Sequence, residues 1–471
     1  MEFSNKTVVQ KIIQECLNHD IKHIVFSPGS RNAPFAISFD VHPDFETHVI
    51  HDERAAAFYA LGISQTLQQT VALCCTSGSA VLNYFPAISE AFYREQRLLV
   101  LSADRPKRLI NKGHGQTIMQ HEVFGKHVKQ SLSIEDTNGK MNHKPITDFF
   151  VKMQELPFRP MHLNIHLEEP LYGVSESLIQ KEKAYEKEEI KDKALSISDE
   201  EIQSFGDQKI LVLCGQGSKD TILKGALVDF NKNSNVVVLN ENTSGMNDSS
   251  FVNCIDRALN SIEAKSEKRF VPDILITIGG AVVSKRIKSF FIKHPPKRHI
   301  AINKSNIGID LFFRLDEHYE CHPASFFTLL NNKATLLNNK NFKATWNQLD
   351  YLVKDRIPSF FHEAQTNTDL EVFHALYQIL PEKCTLHLGN SSVVRYMQLF
   401  DPVPNVNYEC NRGTSGIDGC TSTAIGSAIA NSEGKHILIS GDVSFIYDSN
   451  ALWIRPFPQN LKIIVLDNQG G

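Results

Sequence analysis

The stretch that most constrains this chain is its last one, Lys435 to Gly471, where two apolar runs empty into polar turns. HILIS ends at Gly441-Asp442, and LKIIVL ends at Asp467-Asn468-Gln469-Gly470-Gly471. Short β-branched runs bounded by turn residues read as buried parallel strands, with a helix around Asn450 to Trp453 crossing between them. Ligands of such sheets bind at the carboxyl ends of the strands. Those ends here present a carboxylate, Asp442, and an amide, Asn468, beside glycines. Hard oxygen ligands of this kind suit Mg²⁺ carrying a diphosphate. A ligand-free βαβ unit with a Gly-Asp turn carries the same pattern, so the rest of the chain must decide between the two.

At 471 residues the chain exceeds one hydrophobic core. Residues 1–172 alternate strand-like runs (23–30, 47–53, 70–78, 97–106, 161–170) with helical spacing over 53–65 and 80–94, as in a doubly wound α/β domain. Residues 173–207 are densely charged and read as a solvated linker. A second α/β unit is expected over 208–335, with strands at 209–214, 235–240, 273–279 and 298–303. The polar 336–368 segment is expected to be a partly helical connector. A third α/β unit occupies 369–471, with strands at 385–390 and in the two terminal runs. That last unit stops at its final strand turn, so it is expected to be C-terminally incomplete. Three successive doubly wound parallel-sheet domains are therefore the expected fold.

Several function classes drop out. A formal net charge of −4 gives no reason to expect nucleic acid or an anionic membrane as partner. No apolar run approaches the ~18 residues of a membrane span, and the amphipathic start MEFSNKTVVQKIIQECLNHD is not a signal peptide. Nine cysteines without a framework spacing or a C-x-x-C pair read as buried reduced thiols of a cytoplasmic protein, not as disulfides or a zinc site. Gly215-Gln216-Gly217 follows a strand like a dinucleotide fingerprint, but Asp220 stands where the third glycine belongs, so a plain β–α turn is expected.

Chemistry concentrates in the turns. Asp52-Glu53-Arg54 lies where a strand meets a helix. An acidic first turn suits the helix dipole, which is the bland reading of Glu53. Three more turns, Ser27 to Asn32 with Ser30 and Arg31, Ser102 to Pro106 with Arg105, and Asn411 to Gly419 with Arg412, each place an arginine at the carboxyl end of a strand-like run. The guanidinium fork matches a carboxylate bidentately, so repeated arginines on one edge point to a substrate with several carboxylates. Lys285, Arg286 and Arg395 could join them. Taken singly, each is equally readable as a surface ion pair.

The segments SPGSRNAPF (27–35), HDERAAAFYALG (51–62), TSGSAVLNYFPAISEA (76–91), SADRP (102–106), GNSSVVR (389–395), NRGTSGIDGCTSTAIG (411–426) and GDVSFIYDSNALW (441–453) together resemble the MenD family, thiamine diphosphate-dependent 2-succinyl-5-enolpyruvyl-6-hydroxy-3-cyclohexene-1-carboxylate synthases of menaquinone biosynthesis. The matching segments fall, in order, in the first and third expected units. It implies a pyrimidine-binding domain (1–172), a central domain (208–335) and a diphosphate-binding domain (369–471). It also implies a transferase that joins 2-oxoglutarate to isochorismate with loss of CO₂, using thiamine diphosphate and Mg²⁺, with Mn²⁺ as a substitute. A cytoplasmic homodimer or dimer of dimers would follow, with the pyrimidine domain of one chain facing the diphosphate domain of its neighbour.

By the same resemblance, Glu53 would face a ring nitrogen of the cofactor's aminopyrimidine and favour its imino tautomer. Gln116, in GHGQTI, would orient the substrate, and Ile417 would wedge beneath the cofactor. Ser30, Arg31, Arg105, Lys285, Arg286, Ser391, Arg395 and Arg412 would contact substrate. Gly389, Asn390, Ser391 and Ser392, then Ser415, Gly416, Ile417 and Asp418, then Gly441, Asp442, Val443 and Ser444, would line the cofactor. Asp442, Asn468 and the Gly470 carbonyl would hold the metal. Two positions depart from the wider signature: Val443 replaces a usual glycine, and Asp467 replaces the first asparagine of a usual pair. Another thiamine diphosphate-dependent decarboxylase or carboligase, or a non-catalytic subunit of the same fold, are the alternatives.

Overall fold

The computed structural model describes residues 2–136, 142–176, 195–305, 307–338, 341–363 and 368–468. Gly470 and most of the charged 173–207 segment lie outside the described residues. The chain forms two compact units, Met1–Ile190 with Gly413–Val465, and Lys191–Arg412 with Leu466–Gly471.

The first unit is built on six parallel strands in the order Glu46–Val49, His23–Phe26, Val71–Cys75, Leu98–Asp104, Met161–His166, Gln130–Glu135. Val71, Leu73 and Cys75 enter one hydrophobic core and Ala72 and Cys74 the other, all of them buried. Burial on both faces is why these strands read as unbroken apolar runs and not as alternating ones. Helices Thr7–Asn18, Ala33–Asp40 and Lys144–Met153 cover one face, and Glu53–Leu67 and Phe85–Tyr93 the other. The strand order reverses between His23–Phe26 and Val71–Cys75, which opens a crevice at their carboxyl ends. The Ser27 to Asn32 turn leaves from that crevice, and the Arg31 amide donates across it to Thr76 Oγ1 at 3.3 Å.

Residues 413–465 belong to the same unit. They supply helix Cys420–Ala430 and the neighbouring strands Lys435–Gly441 and Leu461–Leu466. The connection between those strands is a short helix, Asp442–Tyr447, followed by a 3₁₀ turn, Ser449–Trp453. Helix Cys420–Ala430 lies directly on Glu53–Leu67, and two glycines make that possible. A Cβ on Gly62 would stand 2.1 Å from the Thr423 carbonyl oxygen, and one on Gly426 2.0 Å from that of Tyr59. Glycine inside a helix costs about 1 kcal/mol relative to alanine; here it allows backbone-to-backbone packing from both sides.

The second unit contains a five-stranded parallel sheet, ordered Val236–Asn240, Ile210–Cys214, Ile274–Ile278, Arg298–Asn303, Glu317–Glu320. Thr221–Phe230 and Pro323–Lys333 pack on one face, and Ile255–Asn260, Lys285–Lys293 and Phe342–Glu363 on the other. The Gly215 turn is the plain β–α turn expected: Asp220 accepts from the Ile222 and Leu223 amides and caps the following helix. The 336–368 segment carries a helix of 22 residues, Phe342–Glu363, whose Trp346 is fully buried with its ring edge-on to Phe270 at 5.2 Å. Strands Cys384–Leu388 and Asn407–Glu409 pair in parallel, and helix Asp369–Ile379 starts in a capping box made by Thr368 and Glu371.

All nine cysteines are buried and free of disulfides. No described helix is long and apolar enough to cross a membrane.

Candidate active site

The residues singled out above fall into two sets, one in each unit. In the first unit Glu53 opens helix Glu53–Leu67, and Asp52 caps it by accepting from the Ala55 amide at 2.8 Å. Asn450 donates to the other Asp52 oxygen at 2.7 Å, so Asp52 is fully occupied as a cap. Arg54 is structural as well: it donates to the Tyr447 carbonyl at 2.6 Å and its guanidinium lies over the Tyr447 ring. Glu53 is different. Its one hydrogen-bonding contact among the described residues is with its own backbone amide, and burial, reinforced by Asp52, raises its pKa above the usual carboxyl range.

The arginine turns of this unit diverge. Arg31 is buried, with its fork taken by the Leu167 carbonyl at 3.1 Å and by Glu169 at 2.8 Å. Arg105 instead reaches Gln116 Oε1 at 3.1 Å, which joins two residues named separately from the sequence. Gln116 holds a left-handed backbone, φ 57°, as does Ser415 at φ 63°; both are conformations that non-glycine residues adopt at a cost. Ser30 is exposed beside Arg31.

The 413–419 turn is held from within. Glu90, buried on helix Phe85–Tyr93, accepts from the Gly413 amide at 2.7 Å, the Thr414 amide at 2.6 Å and the Thr414 hydroxyl at 2.9 Å. Asp418 crowds Gly416, and the Ser444 hydroxyl donates to the Ile417 carbonyl at 3.0 Å. Residues 415–418 and 442–444 are thereby tied together. Gly441 caps helix Asp442–Tyr447, whose first residue, Asp442, is half-buried; Val443 is exposed. No hydrogen bond or ion pair engages the Asp442 carboxylate among the described residues.

In the second unit the 389–392 turn and Arg412 interlock. Asn390 donates to the Asn411 carbonyl at 2.6 Å and accepts from Arg412 Nη1 at 2.9 Å. Ser391 adopts φ 76° and caps helix Ser392–Met397. Ser392, Arg395 and Arg286 line a cavity of about 600 Å³ together with Arg257, Arg356 and Tyr396. Lys285 opens helix Lys285–Lys293 behind the cap Ser284. Asn468 donates to Asp369 at 3.4 Å. Gly389 is buried beside this turn.

Several residues of these sites carry no motif. Lys288 sits one turn beyond Lys285; its pKa is lowered, first by burial and then by Arg412, Lys285 and Arg395, while Glu241 opposes the shift. Glu241 itself is fully buried, accepts from the Val283 and Ser284 amides at 2.7 Å each, and is pushed up to about 7 by that burial. Glu90 and Asn450 complete the group. Only a helical spacing, Lys285 to Lys288, could have flagged any of them.

Comparison with known proteins gives a consistent result. Residues 6–127 match the family model of the thiamine pyrophosphate enzyme N-terminal TPP binding domain. Over 474 residues the chain is 38% identical to a 2-succinyl-5-enolpyruvyl-6-hydroxy-3-cyclohexene-1-carboxylate synthase of Flavobacterium johnsoniae, covering 100% of this chain and 85% of that protein. The synthase of the same name from Flavobacterium psychrophilum is 40% identical, covering 98% and 84%. That from Bacteroides thetaiotaomicron is 33% identical over 479 residues, covering 100% and 84%.

Proposed function

The chain belongs to the 2-succinyl-5-enolpyruvyl-6-hydroxy-3-cyclohexene-1-carboxylate synthase family of thiamine pyrophosphate enzymes, and from that premise we propose how its residues divide the work. The protein is a thiamine diphosphate-dependent transferase that joins 2-oxoglutarate to isochorismate with release of CO₂, in menaquinone biosynthesis. The observation that carries this reading is identity of 38% along the entire chain.

The cofactor, when bound, supplies a nucleophilic carbon and an electron sink for decarboxylation. Glu53 suits its part in this: an otherwise unengaged carboxyl, its pKa raised by burial, can hold a proton against a ring nitrogen. Ser415 to Asp418 and Asp442 to Ser444 would line the cofactor, and Ile417 would support it from below. Gly389 to Ser392 would line it as well. Oxygen donors fit Mg²⁺ in kind, and Asp442 has its carboxylate unengaged; Asn468 and Gly470 would complete the set, with Mn²⁺ as a substitute. Arg105, Arg286, Arg395 and Arg412, with Lys285, would bind the two carboxylates that each substrate brings. Gln116 would orient the substrate through Arg105, and Ser30 and Ser391 would add polar contacts. Arg31, whose fork the protein occupies, would act by shaping the turn.

The division into 1–172, 208–335 and 369–471, a homodimer or dimer of dimers, and a cytoplasmic location supported by nine buried free thiols belong to the same proposal. The deciding assay follows CO₂ release from 2-oxoglutarate and from pyruvate, each with and without isochorismate. Coupled product from 2-oxoglutarate and isochorismate alone is expected. Equal turnover of pyruvate would move the chain to the other carboligases, and no turnover with cofactor bound would make it a non-catalytic subunit.

A further inference from the structure

Where the first sheet ends at its edge strand, three side chains face one point. Glu46 and His48 stand two residues apart on Glu46–Val49 and therefore on one face. The parallel register sets His23 opposite Glu46 on the adjacent strand. His23 Nδ1 and His48 Nε2 are 3.3 Å apart, Glu46 Oε2 is 3.6 Å from the former, and Glu46 Oε1 is 3.6 Å from the latter. Among the described residues this is the one group of three or more such side chains able to hold a metal ion.

We propose that His23, Glu46 and His48 bind a divalent transition-metal ion, zinc by ligand type, in a tetrahedral site whose fourth position is open to water. Ligand nitrogens about 2.0–2.1 Å from a tetrahedral ion lie roughly 3.3–3.4 Å from each other, which the two imidazoles already satisfy. A simple histidine–histidine hydrogen bond accounts for one distance only. It leaves Glu46 placing one oxygen toward each ring nitrogen at 3.6 Å, too long for a hydrogen bond and close to the spacing of two ligands sharing an ion. The surroundings agree. Tyr59 lies 3.0 Å from His48 Nδ1 through its hydroxyl, fixing the ring so that Nε2 faces the site, as the outer partners of metal-bound histidines do. Lys22, whose charge acts on His23, is paired with Asp20 at 3.2 Å. Its nitrogen-rich ligand set sets the site apart in kind from the oxygen donors of Asp442 and Asn468. An ion here would clip the edge strand to its neighbour just ahead of Glu53 and its helix, a structural role.

The test uses the whole chain, stripped with a chelator and held in excess Mg²⁺ so that oxygen-rich sites are filled. Adding Co²⁺ alone is expected to produce the strong visible bands of a tetrahedral complex at one equivalent, and Zn²⁺ is expected to displace them and raise the melting temperature. His48→Gln and His23→Gln should lose both signals. Glu46→Gln, at an exposed position that folding tolerates, should weaken Co²⁺ binding by at least tenfold, and Tyr59→Phe by about tenfold. Absence of the bands in the native chain, or their persistence in His48→Gln and Glu46→Gln, would overturn the proposal.

Discussion

Two carboxyl groups, half-buried Glu53 in the first unit and fully buried Glu241 in the second, sit just beyond the ends of parallel strands and are both pushed up by burial. Beyond the depth of burial, what separates them is hydrogen bonding. Glu241 is saturated, with Val283 and Ser284 amides on its two oxygens, and it pins the turn that launches helix Lys285–Lys293. Glu53 touches no other residue's donor among those described. A raised pKa therefore marks burial alone; what separates a fastening from a working group is whether the protein itself has used up the oxygens.

The sharpest way to break this contrast is Glu53→Gln. CO₂ release from 2-oxoglutarate should fall roughly 10²–10⁴-fold, the range for a lost general acid or base, while thiamine diphosphate still binds in a calorimetric titration and the melting temperature holds. Unchanged turnover would end the assignment of Glu53. Glu241→Ala should do the reverse, costing about 3 kcal/mol in denaturant unfolding because two buried amides lose their acceptor. A stability loss under 1 kcal/mol would mean that Glu241 fastens nothing.

The two arginine turns extend the comparison at a smaller scale. Arg105→Ala is expected to raise KM for a substrate about tenfold with little change in melting temperature. Arg31→Ala should lower stability by about 1 kcal/mol, a modest figure because its partner Glu169 is largely exposed. The smallest effect is a pH slope. Glu241 has a folded-state value of about 7 against 4.5 for an ordinary glutamate, so folding favours its protonated form. That contribution is fully present below about pH 4.5 and disappears as pH rises through 7. Melting curves of Glu241→Gln across this window should lack the decline that this group adds to the parent protein.

The sheets were legible because their central strands are buried on both faces and so read as continuous Val, Leu and Ile runs. Gln130–Glu135, Glu317–Glu320 and Asn407–Glu409 were not: they are edge strands, half in water, with polar residues that look like loop. The turn at Gly215 was legible from the missing third glycine, whereas the cap that Asp220 provides emerged only from the structure. At the site, motif-bearing residues such as Glu53, Gln116 and Ser415 could be named from the chain, but not the partners that fix them. Arg31 and Arg105 look alike in sequence, and only tertiary packing fills one fork with Leu167 and Glu169 and leaves the other for Gln116. Glu90, Glu241 and the His23–Glu46–His48 group are assembled from separated segments, so no local spacing announces them.

The glycine contact between Glu53–Leu67 and Cys420–Ala430 has one more consequence. With carbonyls filling the space where side chains would cushion the joint, the two helices behave as a single welded strut. One end of that strut is Glu53, and the other helix starts immediately after Ile417 and Asp418. In the proposed dimer, Glu53 of a chain would serve one cofactor and its 415–418 loop the other. A side chain placed on Gly62 or Gly426 would push the two helices apart and so disturb Glu53 and the 415–418 turn together.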